Sequence, residues 1–279
     1  MRGDALPKQY VDFTGNGSLL EQTFHRAERL IPSRRLFTVV SREHFAFPDV
    51  WRQLADRPGG RVVVQPENKD TAPGLLLPLV SVCREYGDAA VAVFPSDHAI
   101  TNDAAFMTQV ERAFEAVERR PARIVLLAVS PTEPEADYGY VVPGVAESDG
   151  LRTVTRFVEK PGPARAAELI ARGALWNTFV MVFRARTLWE YVQEIAPVLA
   201  GAFRRLAVTA GTGAEVDDVY RTLQPLNFSS VFLRKLPGLT RPSLTVLPVD
   251  GVGWSDCGVE TRLQEVLGEV SPAALPLCA

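Results

Sequence analysis

The sequence predicts an α/β fold, a Rossmann-like doubly wound sheet, on three observations. Short apolar, β-branched runs alternate with helix-length amphipathic stretches as far as Val129. Polar turns such as Pro95-Ser96-Asp97-His98 stand where those runs end, the edge at which open α/β sheets bind ligands. Hydrophobic residues make up 47% and charged residues 23% of 279, enough to bury a full core.

The elements follow in order. Ser18-Leu19-Leu20-Glu21 has capping-box spacing and predicts a helix to about Leu30, with Pro32 helping to end it. Leu36 to Val40 and Arg61 to Val64 read as short buried strands. Thr71 is a candidate cap for a helix toward Tyr86, with Pro73 tolerated in its first turn. Ala89 to Phe94 is a further buried strand, followed by a helix over Asn102 to Arg119 and a strand over Ile124 to Val129. After Pro131 the rhythm changes to longer strands at Tyr138 to Val142, Thr153 to Val158 and Ala174 to Phe183, with a helix between Pro163 and Arg172. Helices over Leu188 to Ala207, Glu215 to Leu223 and Asn227 to Lys235 precede a strand at Ser243 to Val249 and a closing helix at Val259 to Leu267. With no internal repeat and no low-complexity linker, one continuous fold is expected.

Composition excludes several functions. A net charge of −3 and a pI of about 5.8 argue against a nucleic-acid or acidic-membrane binder, though not against a nucleotide ligand. The three cysteines are widely spaced, which argues against a structural zinc site or a disulfide framework. No run approaches the ~18 apolar residues of a membrane span, and Met1-Arg2-Gly3-Asp4 leads into no apolar signal core. The expected setting is the cytoplasm, and the Asn16 and Asn227 sequons are expected to be chance matches.

Several segments carry candidate chemistry, each beside a plainer reading. Lys8 in Pro7-Lys8-Gln9, just before a capped helix, reads on its own as a solvated lysine. Gln65-Pro66-Glu67-Asn68-Lys69-Asp70-Thr71-Ala72-Pro73 joins a strand to a helix, where polar groups face a ligand or merely form a capped turn. Asp97 and Asp256 are candidate divalent-metal carboxylates or helix caps, and His98 packs or ligates. Glu159 and Lys160 end one strand and face opposite ways, as a polar site or a solvated turn. Asn177, inside an apolar strand, must find a partner, either a sugar hydroxyl or a backbone carbonyl.

In this order, Pro-Lys-Gln, Gln-Pro-Glu-Asn-x-x-Thr-Ala-Pro, Pro-x-Asp-His, Tyr-Gly-Tyr, Phe-Val-Glu-Lys-Pro, Trp-Asn and Trp-Ser-Asp-x-Gly resemble the sugar-1-phosphate nucleotidyltransferases, most closely the mannose-1-phosphate guanylyltransferase family. The likeness runs from Pro7 to about Leu267. It implies one domain over residues 1–279, with a nucleotide-binding half (1–130) and a sugar-binding half (131–279). It implies that Lys8 neutralises nucleotide phosphates, that the Gln65 to Pro73 loop reads guanine chiefly through Asn68, Thr71 and Ala72, and that Asp97 and Asp256 bind Mg²⁺. Gly139, Glu159 and Asn177 are then sugar contacts, and Lys160 meets the sugar phosphate. The implied partners are GTP and a hexose 1-phosphate, in a chain compatible with a homo-oligomer.

This sequence departs from the family pattern in two places. The family's first β-strand and Gly-Gly-x-Gly-Thr-Arg-Leu loop precede Pro-Lys-Gln, whereas here Met1 stands six residues before Pro7. A gap inside the sheet, with unpaired backbone groups on both neighbouring strands, is therefore expected. Asn227-Phe228-Ser229-Ser230 also stands where many relatives carry an Asp-containing sugar-site segment.

Overall fold

A computed structural model describes residues 6–13, 15–208, 213–239 and 244–257. The predicted capping box opens α1 (Leu19–Glu28): Glu21 N–H donates to Ser18 Oγ at 3.2 Å, and Ser18 N–H to Glu21 Oε2 at 2.8 Å. β1 (Thr38–Ser41), α2 (Pro48–Leu54) and β2 (Val62–Gln65) follow, with β1 and β2 paired parallel as a separate ribbon. α3 (Thr71–Tyr86) leads to β3 (Ala90–Val93), the short β4 (Ala99–Ile100), α4 (Asp103–Arg119) and β5 (Ile124–Val129). Thr71 is the first residue of α3, not its cap: Asp70 is the N-cap and accepts the Thr71 N–H at 2.6 Å.

The second half contributes β6 (Gly139–Ala146), β7 (Arg152–Glu159), α5 (Pro163–Ala171), β8 (Leu175–Arg184), α6 (Ala185–Ile195), α7 (Pro197–Val208) and α8 (Gly213–Thr222). The helix expected over Asn227 to Lys235 is a single π turn at Ser229–Leu233, before β9 (Leu244–Val249) and β10 (Trp254–Ser255). The helix expected at Val259 to Leu267 lies outside the described residues.

Six strands form one mixed sheet in the order β3-β8-β5-β9-β7-β6, with β6 also touching the start of β8. β5 and β9 are parallel, while β8 runs antiparallel to both β3 and β5. β5 shows why the sheet is covered on both faces. Side chains alternate along a strand, and all six of its residues are buried. Ile124, Leu126 and Ala128 enter a core with α3, α6, α7 and the Phe228–Leu233 turn, while Val125, Leu127 and Val129 enter another with α4 and α5. A third, smaller core of Leu6, Tyr10, Leu20, Phe24, Val40, Val50 and Leu54 lies under the β1–β2 ribbon.

The expected gap is present. β1 pairs with β2 and β3 with β8, and among the described residues neither has a strand on its other edge. Between them lies a cleft of about 1690 Å³, lined by Leu36 to Val39 on one side and Ala89 to Phe94 on the other. α3 contributes Leu75, Pro78 and Leu79 to its walls; α1 contributes Leu20 and Phe24, and α4 Phe114. Helices thus cover a position with a strand edge on each side. No helix among the described residues is long and apolar enough to cross a membrane.

Candidate active site

The site is built where β3 ends. After Val93 the chain turns through Pro95 and Ser96 to Asp97, then pairs as β4 with β10 in the register Ala99↔Ser255 and Ile100↔Trp254. That two-residue ladder brings Asp256 to Asp97 across 159 positions of sequence. It needs Gly253: its φ is +56°, and a Cβ there would lie 1.9 Å from Thr101 Oγ1.

Lys8 joins the two acids. Its Nζ lies 3.1 Å from Asp97 Oδ2 and donates to the Asp256 main-chain oxygen at 2.7 Å. The segment carrying Lys8 is anchored by the buried Tyr10, whose carbonyl accepts from Gln53 Nε2 at 2.9 Å and whose hydroxyl meets His44 Nδ1 at 3.0 Å. Lys8 and Asp97 are each about 35% exposed, so the pair is open to a ligand.

His98 packs against Trp254 with one ring nitrogen and brings the other, Nε2, to 3.8 Å from Asp97 Oδ1. Trp254 Nε1 donates to its Nδ1 at 3.2 Å, and the rings meet edge-on at 5.4 Å. Burial holds its pKa below the ordinary imidazole value, with Asp97 and Asp256 pulling the other way, so the ring is neutral at neutral pH. Tyr138, quoted in the Tyr-Gly-Tyr run but given no role there, donates its hydroxyl to Asp256 Oδ1 at 3.1 Å.

The Gln65 to Pro73 loop lies along the cleft, which Gln65, Asn68, Asp70 and Thr71 line. Much of its polarity is already engaged. Asn68 Oδ1 accepts the Asp70 N–H at 2.9 Å, Thr71 Oγ1 accepts the Phe228 N–H at 2.8 Å, and the Ala72 N–H donates to Leu226 O at 2.9 Å. Ala72 is fully buried. Of the residues implied to read the base, Gln65, Asn68 and Thr71 line the cleft, and Thr71 and Ala72 also tie the loop to 226–228. Asp70, at φ +67°, makes the same tie by accepting from Asn227 Nδ2 at 3.2 Å.

The implied sugar contacts also meet. Gly139 pairs with Glu159 across β6 and β7, and a Cβ on Gly139 would lie 2.9 Å from Glu159 Oε2 and 3.5 Å from Asn177 Cβ. Only glycine leaves that corner open. Asn177, 9% exposed, accepts the Phe179 N–H through Oδ1 at 3.1 Å, where β8 is bent by Phe179 at φ +60°. Burial raises the Glu159 pKa above the ordinary glutamate value; Lys160 lowers it and Asp70 raises it, so the loop and the sugar corner lie within electrostatic reach. Lys160 turns outward at φ +45°, and its N–H donates to Tyr138 O at 3.1 Å.

Two carboxylates at one strand end suit a hard cation that takes its other ligands from phosphates and water. Among the described residues no group of three or more His, Cys, Asp or Glu could hold a metal by itself, so an all-protein cage is not what these residues offer.

Comparison with known proteins agrees with this geometry. The family model described as Nucleotidyl transferase matches residues 4–269. The chain is 30% identical over 268 residues to the xanthan biosynthesis protein XanB of Xanthomonas campestris pv. campestris, covering 94% of this chain and 55% of that protein. It is 27% identical over 274 residues to a mannose-1-phosphate guanylyltransferase of Escherichia coli, covering 95% of this chain and 56% of the relative. The chain thus spans about half the length of these relatives. Among solved structures it is similar to one described as a mannose-1-phosphate geranyltransferase from Thermus thermophilus, with a TM-score of 0.77, 30% identity and coverage of 88% of this chain and 67% of the other. The sheet order, the ends of β3 and β10 and the family match agree: this chain belongs to the nucleotidyl transferase family.

Proposed function

We propose that the chain transfers a guanylyl group from GTP to mannose 1-phosphate, or a similar hexose 1-phosphate, releasing pyrophosphate. The observation that carries this reading is the meeting of Lys8, Asp97 and Asp256 at the end of β3, beside a cleft that Gln65 and Asn68 line. The likeness to the Escherichia coli guanylyltransferase supports the choice of nucleotide and sugar.

The reaction this assigns is attack by a phosphate oxygen of the sugar 1-phosphate on the α-phosphorus of GTP. The new P–O bond forms as the bond to the bridging α–β oxygen breaks, and that oxygen leaves with pyrophosphate. The nucleophile is already anionic, so no general base is required, and neutral His98 is left as packing. Asp97 and Asp256 would hold Mg²⁺, which when bound neutralises phosphate charge. Lys8 adds a cation on the same side, Glu159 accepts from sugar hydroxyls in the corner Gly139 leaves open, and Lys160 faces the sugar phosphate. Positioning and charge carry the catalysis.

A second reading, a binding homologue of low turnover, is favoured by the cleft between β1 and β3. A coupled assay of pyrophosphate release with GTP and mannose 1-phosphate separates the two: GTP-dependent, sugar-dependent release is expected, and none at any substrate level would favour the binding role. Calorimetry adds the base. GTP should bind more tightly than ATP, with Asn68→Ala narrowing the difference; equal affinities would count against guanine reading.

A further inference from the structure

We propose that Tyr138 is a positioning residue for this site, one that sets the orientation of the Asp256 carboxylate and links it to the sugar-phosphate wall. The inference rests on the nucleotidyl transfer reading above. Its basis is a division of labour at Asp256. Lys8 engages the main-chain oxygen of Asp256, at 2.7 Å, not its carboxylate. The carboxylate is met by Tyr138, whose hydroxyl donates to Oδ1 at 3.1 Å from a residue 118 positions away.

The backbone around Asp256 is held by its own geometry, with Gly251, Gly253 and Cys257 at positive φ and Ser255 paired to Ala99. Those constraints place Cα and leave χ1 and χ2 of the aspartate to be chosen by what its oxygens meet. A hydroxyl donor on Oδ1 is the kind of partner outside the ligand shell that commonly orients a ligating carboxylate.

Tyr138 can hold that position because its ring is buried between two tryptophans. It is 6% exposed, edge-on to Trp176 at 4.8 Å and tilted against Trp254 at 5.2 Å. Trp254 is itself fixed to His98. The carbonyl of the same tyrosine accepts the Lys160 N–H at 3.1 Å, and the next residue is Gly139 of the sugar corner. One residue therefore spans the cation side and the sugar side of the site.

Tyr138→Phe tests this, because it keeps the ring and its packing and removes only the oxygen. Mn²⁺ binding to the whole chain, followed by electron paramagnetic resonance without turnover, should weaken about tenfold in Tyr138→Phe. Where turnover is measured, kcat should fall and the concentration of divalent ion needed should rise. KM for the sugar 1-phosphate should stay near wild type, since the link to Lys160 is through the backbone. The melting temperature should barely change, which a merely structural role would not predict. Wild-type Mn²⁺ affinity and kcat in Tyr138→Phe, while Asp256→Asn loses the ion, would overturn the role of Tyr138 and leave the site intact. Failure of the wild-type chain to bind Mn²⁺ at all, with or without GTP, would overturn the transfer reading and this inference with it.

Discussion

Two parts of the molecule treat the same problem, how to cover a sheet, differently. In the large sheet β8, β5, β9, β7 and β6 pair in succession, and helices and the Phe228–Leu233 turn seal both faces. At its β3 edge the β1–β2 ribbon stands apart, with a cleft of about 1690 Å³ between strand edges. The helical layers span that cleft all the same. Arg26 of α1, 3% exposed, reaches Asp103 of α4 at 2.6 Å, and α3 packs against β1 and β2 as well as the larger core. Helix packing therefore sets the layers, whereas among the described residues no strand joins β1 to β3 across the cleft. The proposed sugar corner belongs to the continuous sheet, and the candidate phosphate and base groups border the cleft.

On that contrast, removing charge at the border has the largest effect. Asp97→Asn should lower kcat for pyrophosphate release by about 10²–10³-fold, the cost of one preorganised electrostatic group at a transferring phosphate, with little change in melting temperature. A loss under about threefold, far below that range, would remove Asp97 from the chemistry.

Stability should divide the same way. Leu126 is fully buried in β5, so Leu126→Ala should cost about 2–5 kcal/mol. Val39 of β1 lines the cleft and is only part-buried, so Val39→Ala should cost under about 1 kcal/mol. Chemical denaturation of both variants checks this, and equal costs would show that the β1–β2 ribbon is packed as tightly as the large sheet.

The smallest effect is one of pH. Burial raises the Glu159 pKa, with Asp70 adding to it, so the proton is held more tightly in the folded state than in the unfolded chain. The sign follows: this group's contribution to stability is fully present below its unfolded pKa and is lost as pH rises through the folded value. Sugar binding moves oppositely, because only the carboxylate accepts from hydroxyls without offering a competing proton. Affinity for the sugar 1-phosphate should therefore fall on acidification, starting above the ordinary glutamate range. Asp70→Asn should move that onset to lower pH and Glu159→Gln should remove it; an unchanged profile in both would place Glu159 outside the sugar site.

What the sequence makes legible is local. The Ser18 capping box, the buried run of β5 and the ends of α3 and α4 can be read because caps and periodicity act over a few residues. α2 is faint in the sequence: it has no side-chain cap, only Pro48 at its first position and Asp49 in its first turn, and it runs just seven residues. Strand direction is hidden as well, since an apolar run such as Leu175 to Arg184 reads the same in a parallel or an antiparallel sheet. The candidate site depends on both. Asp97 and Asp256 are visible as carboxylates at element ends, but the two-residue ladder that joins them has no pattern of its own. The engagement of Thr71 and Ala72 by 226–228 depends on contacts across more than 150 positions, whereas the Asp70 cap is local and lies one residue from the expected Thr71.

The proposed sugar groups lie in the continuous sheet, while the proposed phosphate groups border the cleft between β1 and β3. The most direct test compares this chain with one carrying, before Pro7, a family β-strand and a Gly-Gly-x-Gly-Thr-Arg-Leu loop. Pyrophosphate release and thermal unfolding are measured on both. The strand should fill the cleft and the loop should supply backbone donors and an arginine to the triphosphate, each preorganised donor being worth about 2.7–4 kcal/mol in the transition state. The expected result is a gain of roughly a hundredfold or more in kcat/KM for GTP, a higher melting temperature and an unchanged KM for the sugar 1-phosphate. Equal turnover and equal melting temperature in the two chains would contradict it.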